Sequence, residues 1–349
     1  MLRLPTLIEA PVLPPTAVPA FMALWLLAAV AFTVGLRTRV AGATLTGMAV
    51  YLLVLDRQMY SNHLYLLALL SFLLTVAWSG GALSVDALRR GEAGSVDGWP
   101  VTLLKIQVSV VYGFAAVSKV NVAFLSGTVI AMYIRDGPLS LPESWRIFPV
   151  LYVLSLVAVA AEAFLAVALW VPGLRAAAFS VGFLLHLGMV ILLRPPYQLA
   201  VFALETLALY VLFVGARPGS RVVVWDDSCS FCAGWVRWFR RLDWLAVHRY
   251  VGLSDAARYA GTGVTLEEAS QALQLIDDQG RASGFDAVRG VLERLPISFL
   301  WAPLLGIGPI RRLGSRLYAR VAERRRCRLG HPGSLPARTA PASLEEAHR

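Results

Sequence analysis

Residues 222–232 read Val222-Val223-Val224-Trp225-Asp226-Asp227-Ser228-Cys229-Ser230-Phe231-Cys232, and they are the most informative part of the C-terminal half of the chain. Its first four residues are apolar and typical of a buried strand, and the residues after it show helical spacing. A Cys-x-x-Cys at the start of a helix lies near free amide N–H groups and the positive end of the helix dipole, which favours the thiolate of the first sulfur. The pattern therefore predicts a strand, a redox-active dithiol and a helix in direct succession.

This spacing predicts a division of labour between the two thiols. Cys229 is the predicted nucleophile, and Cys232, one helical turn later on the same face, is placed to close a disulfide onto it. Asp226 is predicted to tune proton transfer at the pair. The alternative is that both thiols are buried and inert, because cysteine packs well as a small hydrophobic residue.

A zinc site is the other alternative for two cysteines at this spacing. A closed four-ligand site needs a second close-spaced pair of ligands. The remaining residues of suitable chemistry, Cys327, His248 and His331, do not provide a second Cys-x-x-Cys pair. We therefore predict no metal in this part of the chain.

The residues around the dithiol resemble a known family. The run 222–243, with Asp226-x-x-Cys229-x-x-Cys232 ahead of an arginine-rich helix, is similar to the DCC family of thiol-disulfide oxidoreductase-like proteins. The later runs 273–281 and 284–288, which read as a strand with a tight turn and the start of a helix, carry the same resemblance. It spans about residues 220–330 and implies a small α/β thioredoxin-like domain with protein-disulfide reductase activity that requires no cofactor.

Two positions depart from the pattern of this family. Asp227 stands where a glycine is common, and we expect it to alter the turn before Cys229. No proline occurs between Pro218 and Pro296, so the cis-proline that faces the disulfide in ordinary thioredoxins is predicted to be absent.

The rest of the chain has the composition of a membrane protein. The whole sequence is 57% hydrophobic and only 15% charged, which is far from a soluble domain. Apolar runs that are long enough to cross a bilayer, or nearly so, occur at residues 18–36, 40–55, 63–79, 100–119, 147–171, 175–193 and 197–215. They predict an all-α polytopic bundle of about seven spans, of which the second and third are short.

The predicted organisation is therefore multi-domain: a membrane bundle at 1–215, a linker at 216–220, a thioredoxin-like domain at 221–330 and a disordered tail at 331–349. With seven spans, the C-terminal domain shares one side of the membrane with an excess of arginines, namely Arg37, Arg39, Arg89, Arg90 and Arg175. The positive-inside rule then predicts a cytoplasmic C-terminal domain.

Polar residues within membrane spans are costly and are therefore candidates for function. Lys119 ends the fourth span, Glu162 is central in the fifth and His186 in the sixth, and Asn62 and His63 open the third. A partly desolvated amine such as that of Lys119 can act as a base. The alternatives are that Lys119 reaches the headgroups and that Glu162 and His186 form a structural hydrogen-bonded pair.

A second resemblance concerns the membrane part. The stretches 60–66, Tyr-Ser-Asn-His-Leu-Tyr-Leu, and 112–127, which contains Val117-Ser118-Lys119-Val120-Asn121, resemble the two signature stretches of the HTTM family. This family includes the vitamin K-dependent γ-glutamyl carboxylase, and the resemblance covers about residues 1–215. It implies that Lys119 deprotonates a quinol and that His63 belongs to the same active site. Asn62 and His186, as polar residues within the spans, are candidate quinone-binding residues.

The end of the second domain is strongly basic. Between residues 301 and 329, arginines at helical spacing line an apolar stripe, which predicts an amphipathic helix that lies on anionic lipid headgroups. Phosphate of nucleic acids attracts arginine equally well, but the sequence shows no nucleic-acid-binding fold. We predict membrane lipids, and no nucleic acid, as partners.

Three functions remain open at the level of sequence. The favoured one is a membrane-tethered thiol-disulfide oxidoreductase that acts on an unidentified thiol or disulfide protein. The second is a quinol-dependent carboxylase or epoxidase-type membrane enzyme that uses Lys119. The third is a non-catalytic membrane scaffold.

Overall fold

A computed structural model describes residues 10–55, 60–91, 98–136, 141–215, 218–255, 260–278 and 280–326. The chain divides into two compact units. The first comprises Met1–Gly215 together with Pro296–Leu304, and the second comprises Ala216–Leu295 together with Leu305–Arg349. Cys327, His331 and the predicted tail at 331–349 lie outside the described residues.

The first unit is helical. Its helices are α1 Val18–Thr33, α2 Thr38–Leu55, α3 Asn62–Val76, α4 Val85–Arg90, α5 Gly98–Lys119, α6 Val122–Leu125, α7 Thr128–Tyr133, α8 Phe148–Ala168, α9 Arg175–Leu192 and α10 Pro196–Ala208. Six segments, built on α1, α2, α5, α8, α9 and α10, are long and apolar enough to cross a membrane. The polytopic bundle expected from the sequence is therefore confirmed.

The third predicted span, which is already short in the sequence, is shorter still in the structure. Helix α3 has 15 residues and is about 22 Å long, whereas the hydrocarbon core of a bilayer is about 30 Å thick. It begins at Asn62 because the side chain of Ser61 caps it and accepts the Leu64 N–H at 3.4 Å.

Helix α3 nevertheless returns the chain to the end of the bundle where α1 ends. The carboxylate of Asp86, beyond α3, accepts the backbone N–H groups of Arg37 at 2.9 Å and Thr38 at 2.8 Å, between α1 and α2. These hydrogen bonds hold the pKa of Asp86 below its usual range. The connections after α1 and after α3 therefore meet at one end, so α2 and α3 run in opposite directions.

The other end of the bundle is joined in the same way. Backbone N–H groups of Arg135 and Arg194 donate to the carbonyls of Leu192 at 2.7 Å and Tyr133 at 2.8 Å. The chain after α7 therefore meets the chain after α9. A core cluster that includes Val108 of α5, Leu165 of α8, Phe179 of α9 and Phe213 packs between the helices.

The second unit is a small α/β domain. Its elements are β1 Arg221–Trp225, α11 Ser230–Leu242, β2 His248–Gly252, α12 Leu266–Gln271, β3 Gln274–Asp277, β4 Gly280–Ser283, α13 Phe285–Leu292 and α14 Gly308–Arg326. The sheet has the order β2-β1-β3-β4, in which β1 pairs with β2 in parallel and with β3 antiparallel, and β3 pairs with β4 antiparallel. This mixed four-stranded sheet confirms the predicted thioredoxin-like class.

The basic helix α14 is a part of this domain. Gly314 lies against the ring of Phe285, so close that a Cβ there would be 2.2 Å from a ring carbon. The Arg311 guanidinium forms a two-point ion pair with the Asp286 carboxylate, with Nε–Oδ1 at 2.9 Å and Nη2–Oδ2 at 2.5 Å. This guanidinium holds the pKa of Asp286 below its usual range. Helix α14 is thus anchored to α13 by packing and by charge.

Candidate functional site

The dithiol stands where a strand passes into a helix. Cys229 occupies the N-cap position of α11 with an extended backbone, and its carbonyl accepts the N–H of Ala233 at 2.9 Å. Cys229 is buried, whereas Cys232, in the first turn, is partly exposed. The structure therefore has the strand, dithiol and helix in the predicted succession, and the first sulfur stands at the helix N-terminus.

Asp226 shapes the loop that presents Cys229. Its buried carboxylate accepts both the N–H of Ser228 at 3.1 Å and the Ser228 hydroxyl at 2.6 Å through the same oxygen, Oδ1. The Asp226 carbonyl accepts the Cys229 N–H at 3.3 Å. Such an aspartate-closed turn fixes the backbone just before the thiol. The role of Asp226 in proton transfer stays a prediction.

Asp227 joins this loop to the chain beyond β2. Its carboxylate accepts the backbone N–H of Ser254 at 3.1 Å and also bonds the Ser254 hydroxyl. A Cβ at Gly252 would lie 2.4 Å from Oδ2 of Asp227. The carboxylate of Asp227 fits there because glycine has no side chain. Aspartate instead of glycine thus adds a second anchor to the loop. The sequence indicated a change at this turn but gave no sign of its partner, Ser254.

Leu273 stands directly before β3. The backbone N–H of Leu273 donates to the Tyr318 hydroxyl at 3.0 Å. The Leu273 side chain and Cys232 line the same cavity of about 410 Å³, which lies among α11, α13 and α14. Tyr318 of α14 therefore accepts the backbone N–H of a residue that lines the same cavity as Cys232, and the sequence did not predict this contact.

The membrane bundle contains an internal ion pair. Nζ of Lys119 lies 2.6 Å from Oε1 and 2.7 Å from Oε2 of Glu162, and Glu162 is buried. The alternative in which Lys119 reaches the headgroups is therefore wrong, because the buried carboxylate of Glu162 draws the ammonium group into the bundle.

His186 forms a different contact from the one considered for it. Its Nε2 lies 2.9 Å from the Tyr112 hydroxyl, which also accepts a hydrogen bond from the Tyr210 hydroxyl at 2.6 Å. A Glu162–His186 pair is thus wrong, since each residue has a partner on α5 instead. Tyr112 and Lys119 are seven residues apart, which places them on one face of α5 two turns apart. That spacing was visible in the sequence, but Tyr210 carried no such signal.

The other two predicted membrane residues stand elsewhere. His63 lies at the start of α3, where its Nε2 is 3.3 Å from the Ser61 hydroxyl, and Asn62 is exposed beside it. Among the described residues, no hydrogen bond joins His63 to Lys119. The structure thus leaves the assignment of His63 and Asn62 to one site with Lys119 as a prediction.

No metal centre is found in the part of the chain that the structure describes. No group of three or more His, Cys, Asp or Glu side chains in that part is arranged to hold an ion. His248, one of the residues weighed above for zinc, is bonded instead to the Asp243 carboxylate, with Nδ1–Oδ2 at 3.0 Å. Burial opposes ionisation of Asp243, but the bonds from His248 and Val247 outweigh it and lower its pKa.

Comparison with known families agrees with this architecture. The HTTM domain family matches residues 4–217. The chain belongs to the HTTM family. The DCC1-like thiol-disulfide oxidoreductase family matches residues 223–331, so the fusion of the two domains that the sequence suggested is confirmed. No solved structure matches the chain.

These two domains, together with six helices able to cross a membrane, identify a multi-pass membrane protein and support a redox function. The DCC1-like domain supports oxidoreductase activity. Thiol-disulfide oxidoreductases need no cofactor besides their own thiols.

Proposed function

We propose that this HTTM-family protein is a membrane-tethered thiol-disulfide oxidoreductase that uses Cys229 and Cys232. The observation that supports this most directly is the position of Cys229 at the N-cap of α11, immediately after β1 of a thioredoxin-like sheet. The N-terminus of a helix is where redox-active Cys-x-x-Cys pairs are found in disulfide oxidoreductases. Cys232 lies in the first turn, where its thiol is partly exposed.

The reaction transfers two electrons to a partner protein. The Cys229 thiolate attacks one sulfur of the partner's disulfide, and the other partner sulfur leaves as a thiolate that takes up a proton. Cys232 then loses its proton, and the resulting thiolate attacks the Cys229 sulfur of the mixed disulfide. This attack releases the second sulfur of the partner as a thiolate, which takes up a proton. The partner is reduced and the Cys229–Cys232 pair is oxidised. Asp226 is the proposed acceptor that eases the loss of the Cys232 proton.

Trapping of the intermediate tests this assignment. Cys232→Ser removes the resolving thiol, so we expect a mixed disulfide between Cys229 and partner proteins to accumulate in non-reducing gels. Cys229→Ser should neither trap a partner nor reduce an insulin disulfide. Cys327→Ser is the matched control and should behave as wild type. Equal, slow alkylation of Cys229 and Cys232, with no trapped partner, would favour the inert-thiol alternative and a scaffold function.

We also propose that the second domain faces the cytoplasm. Helix α10 returns to the end of the bundle that is rich in arginine, and the positive-inside rule places such an end in the cytoplasm. The arginines at this end are Arg37, Arg39, Arg89, Arg90 and Arg175. The reducing cytoplasm would keep the dithiol reduced between reactions.

A cysteine introduced at Ser220 in a background without the three native cysteines tests this topology. We expect it to be blocked only by maleimides that cross the membrane, because the linker lies inside. Blocking by an impermeant maleimide added to intact cells would place the domain outside, and the same reagent after permeabilisation serves as the control.

The internal ion pair favours a second candidate, a quinol-dependent membrane enzyme in which Lys119 is the base. The 2.6 Å contact with Glu162 keeps the amine within the bundle, where a quinol could reach it. Lys119→Arg preserves the charge but not a group that readily gives up its proton. We expect Lys119→Arg to abolish a quinol-dependent activity while leaving membrane insertion unchanged, and full activity of this variant would exclude Lys119 as the base.

A further inference from the structure

The cavity beside Cys232 is lined almost entirely by apolar side chains. Phe231, Trp235 and Phe239 of α11 form one wall, and Leu317 and Val321 of α14 form another. Its volume of about 410 Å³ lies within the range of small-molecule sites. Several of these residues are about half exposed to solvent: Phe231 is 48%, Trp235 50% and Leu317 51% exposed. A concentration of large, exposed apolar side chains around one cavity marks a binding site.

The lining is unsuited to an extended peptide. A peptide that docks beside a strand pairs its backbone with free N–H and C=O groups. The N–H of Leu273, at the start of β3, is bonded to the Tyr318 hydroxyl and is therefore not available to such a peptide. A hydrocarbon chain needs no hydrogen-bond partner, and each apolar contact that removes water from its surface stabilises its binding.

A source of hydrocarbon chains is always close to this domain. The same polypeptide carries six helices able to cross a membrane, so the domain is tethered at a bilayer. Tethering raises the effective concentration of membrane-derived ligands around the cavity. We propose that the cavity among α11, α13 and α14 binds the hydrocarbon chain of a membrane lipid, acyl or prenyl, against Cys232.

Occupancy of this site has a consequence for the dithiol. Cys232 forms part of the cavity wall, so a bound chain covers its thiol and slows its reaction with reagents in water. The binding claim goes beyond the proposed thiol exchange and does not require it, because an inert pair of thiols would leave the cavity unchanged.

Photo-crosslinking of the full chain tests the site. The protein is reconstituted into phosphatidylcholine nanodiscs with a 16-carbon fatty acid that carries a diazirine, irradiated, digested and analysed by mass spectrometry. We expect adducts on peptides from α11 and α14 in addition to those on the membrane helices. The adducts on the membrane helices serve as the internal standard, because every variant retains them.

Two tryptophan substitutions on α14 form a matched pair. Ala322 lines the cavity, so Ala322→Trp fills it and should reduce the α11 and α14 adducts at least tenfold relative to the internal standard. Leu313, on the same helix, is 57% exposed and does not line the cavity, so Leu313→Trp should leave them unchanged. Adducts confined to the membrane helices, or lost equally in both variants, would overturn the proposal.

Competition in the unmodified protein keeps the test independent of any variant's folding. Palmitate or farnesol, added in excess, should suppress the cavity adducts and slow iodoacetamide labelling of Cys232 by severalfold. Suppression by palmitate indicates an acyl chain and suppression by farnesol alone a prenyl chain, whereas no effect of either would overturn the site. The adducts should persist in Cys229→Ser, which separates this result from the fate of the proposed redox reaction.

Discussion

Glu162→Leu is expected to destabilise the membrane bundle by about 3 kcal/mol, because it leaves the Lys119 ammonium group inside the bundle without its counter-ion. In the native protein both carboxylate oxygens of Glu162 lie within 2.7 Å of Nζ. Leucine fills a similar volume but offers no oxygen, and an unpaired charge at such a depth is costly. The midpoint of thermal unfolding in detergent, followed by size-exclusion chromatography, should fall accordingly.

Glu205 provides the matched control for this substitution. It is also an acid on a membrane helix, but its Oε2 is buried without a hydrogen-bond partner. Glu205→Leu therefore leaves no cation unpaired, and we expect a midpoint equal to or above that of the wild type. The double variant Lys119→Met/Glu162→Leu should recover most of the loss, because it removes both charges. A Glu205→Leu variant as unstable as Glu162→Leu would show that the ion pair is not what holds α5 to α8.

Local patterns in the sequence located the dithiol correctly. An apolar run, two cysteines at a spacing of three and a helical pattern are each read within about ten residues, and they predicted β1, the N-cap cysteine and α11. The membrane helices were equally readable from their apolar runs. The length of α3 was harder to predict from its apolar run, because the serine cap at Ser61 and the turn after Val76 set its ends.

Contacts between residues that are distant in sequence could not be predicted from local patterns. Whether Glu162 meets His186 or Lys119 depends on how α5, α8 and α9 are rotated about their axes, and helices that are apolar on every side carry no stripe that fixes this rotation. The same limit applies to Tyr318 and Leu273, which are brought together by the packing of α14 on the domain. Composition predicted α14 as a basic helix but gave no sign that it lies next to Cys232.

Arg221 shows why a residue type can mislead. An arginine that starts a strand is expected at the surface, yet Arg221 is buried. Its guanidinium lies 2.8 Å from Oδ2 of Asp277 on β3 and donates to the Gly290 carbonyl of α13 at 2.7 Å. Burial lowers the pKa of Arg221, and the Asp277 carboxylate opposes this shift. The arginine thus fixes the start of β1 to the strand beside it and to the helix packed on the sheet.

Asp277→Ala is therefore expected to lower the free energy of unfolding of the second domain by about 3–5 kcal/mol, since it leaves a buried guanidinium without its carboxylate. Arg281→Ala breaks the exposed pair between Arg281 of β4 and Glu268 of α12 and should cost less than about 1 kcal/mol. Because β1 ends just before the dithiol loop, loosening it should also expose Cys229, which is 6% exposed in the native domain. We expect Cys229 to be alkylated severalfold faster in Asp277→Ala than in Arg281→Ala. Equal rates and equal urea midpoints for the two variants would mean that β1 is held by its backbone ladder alone.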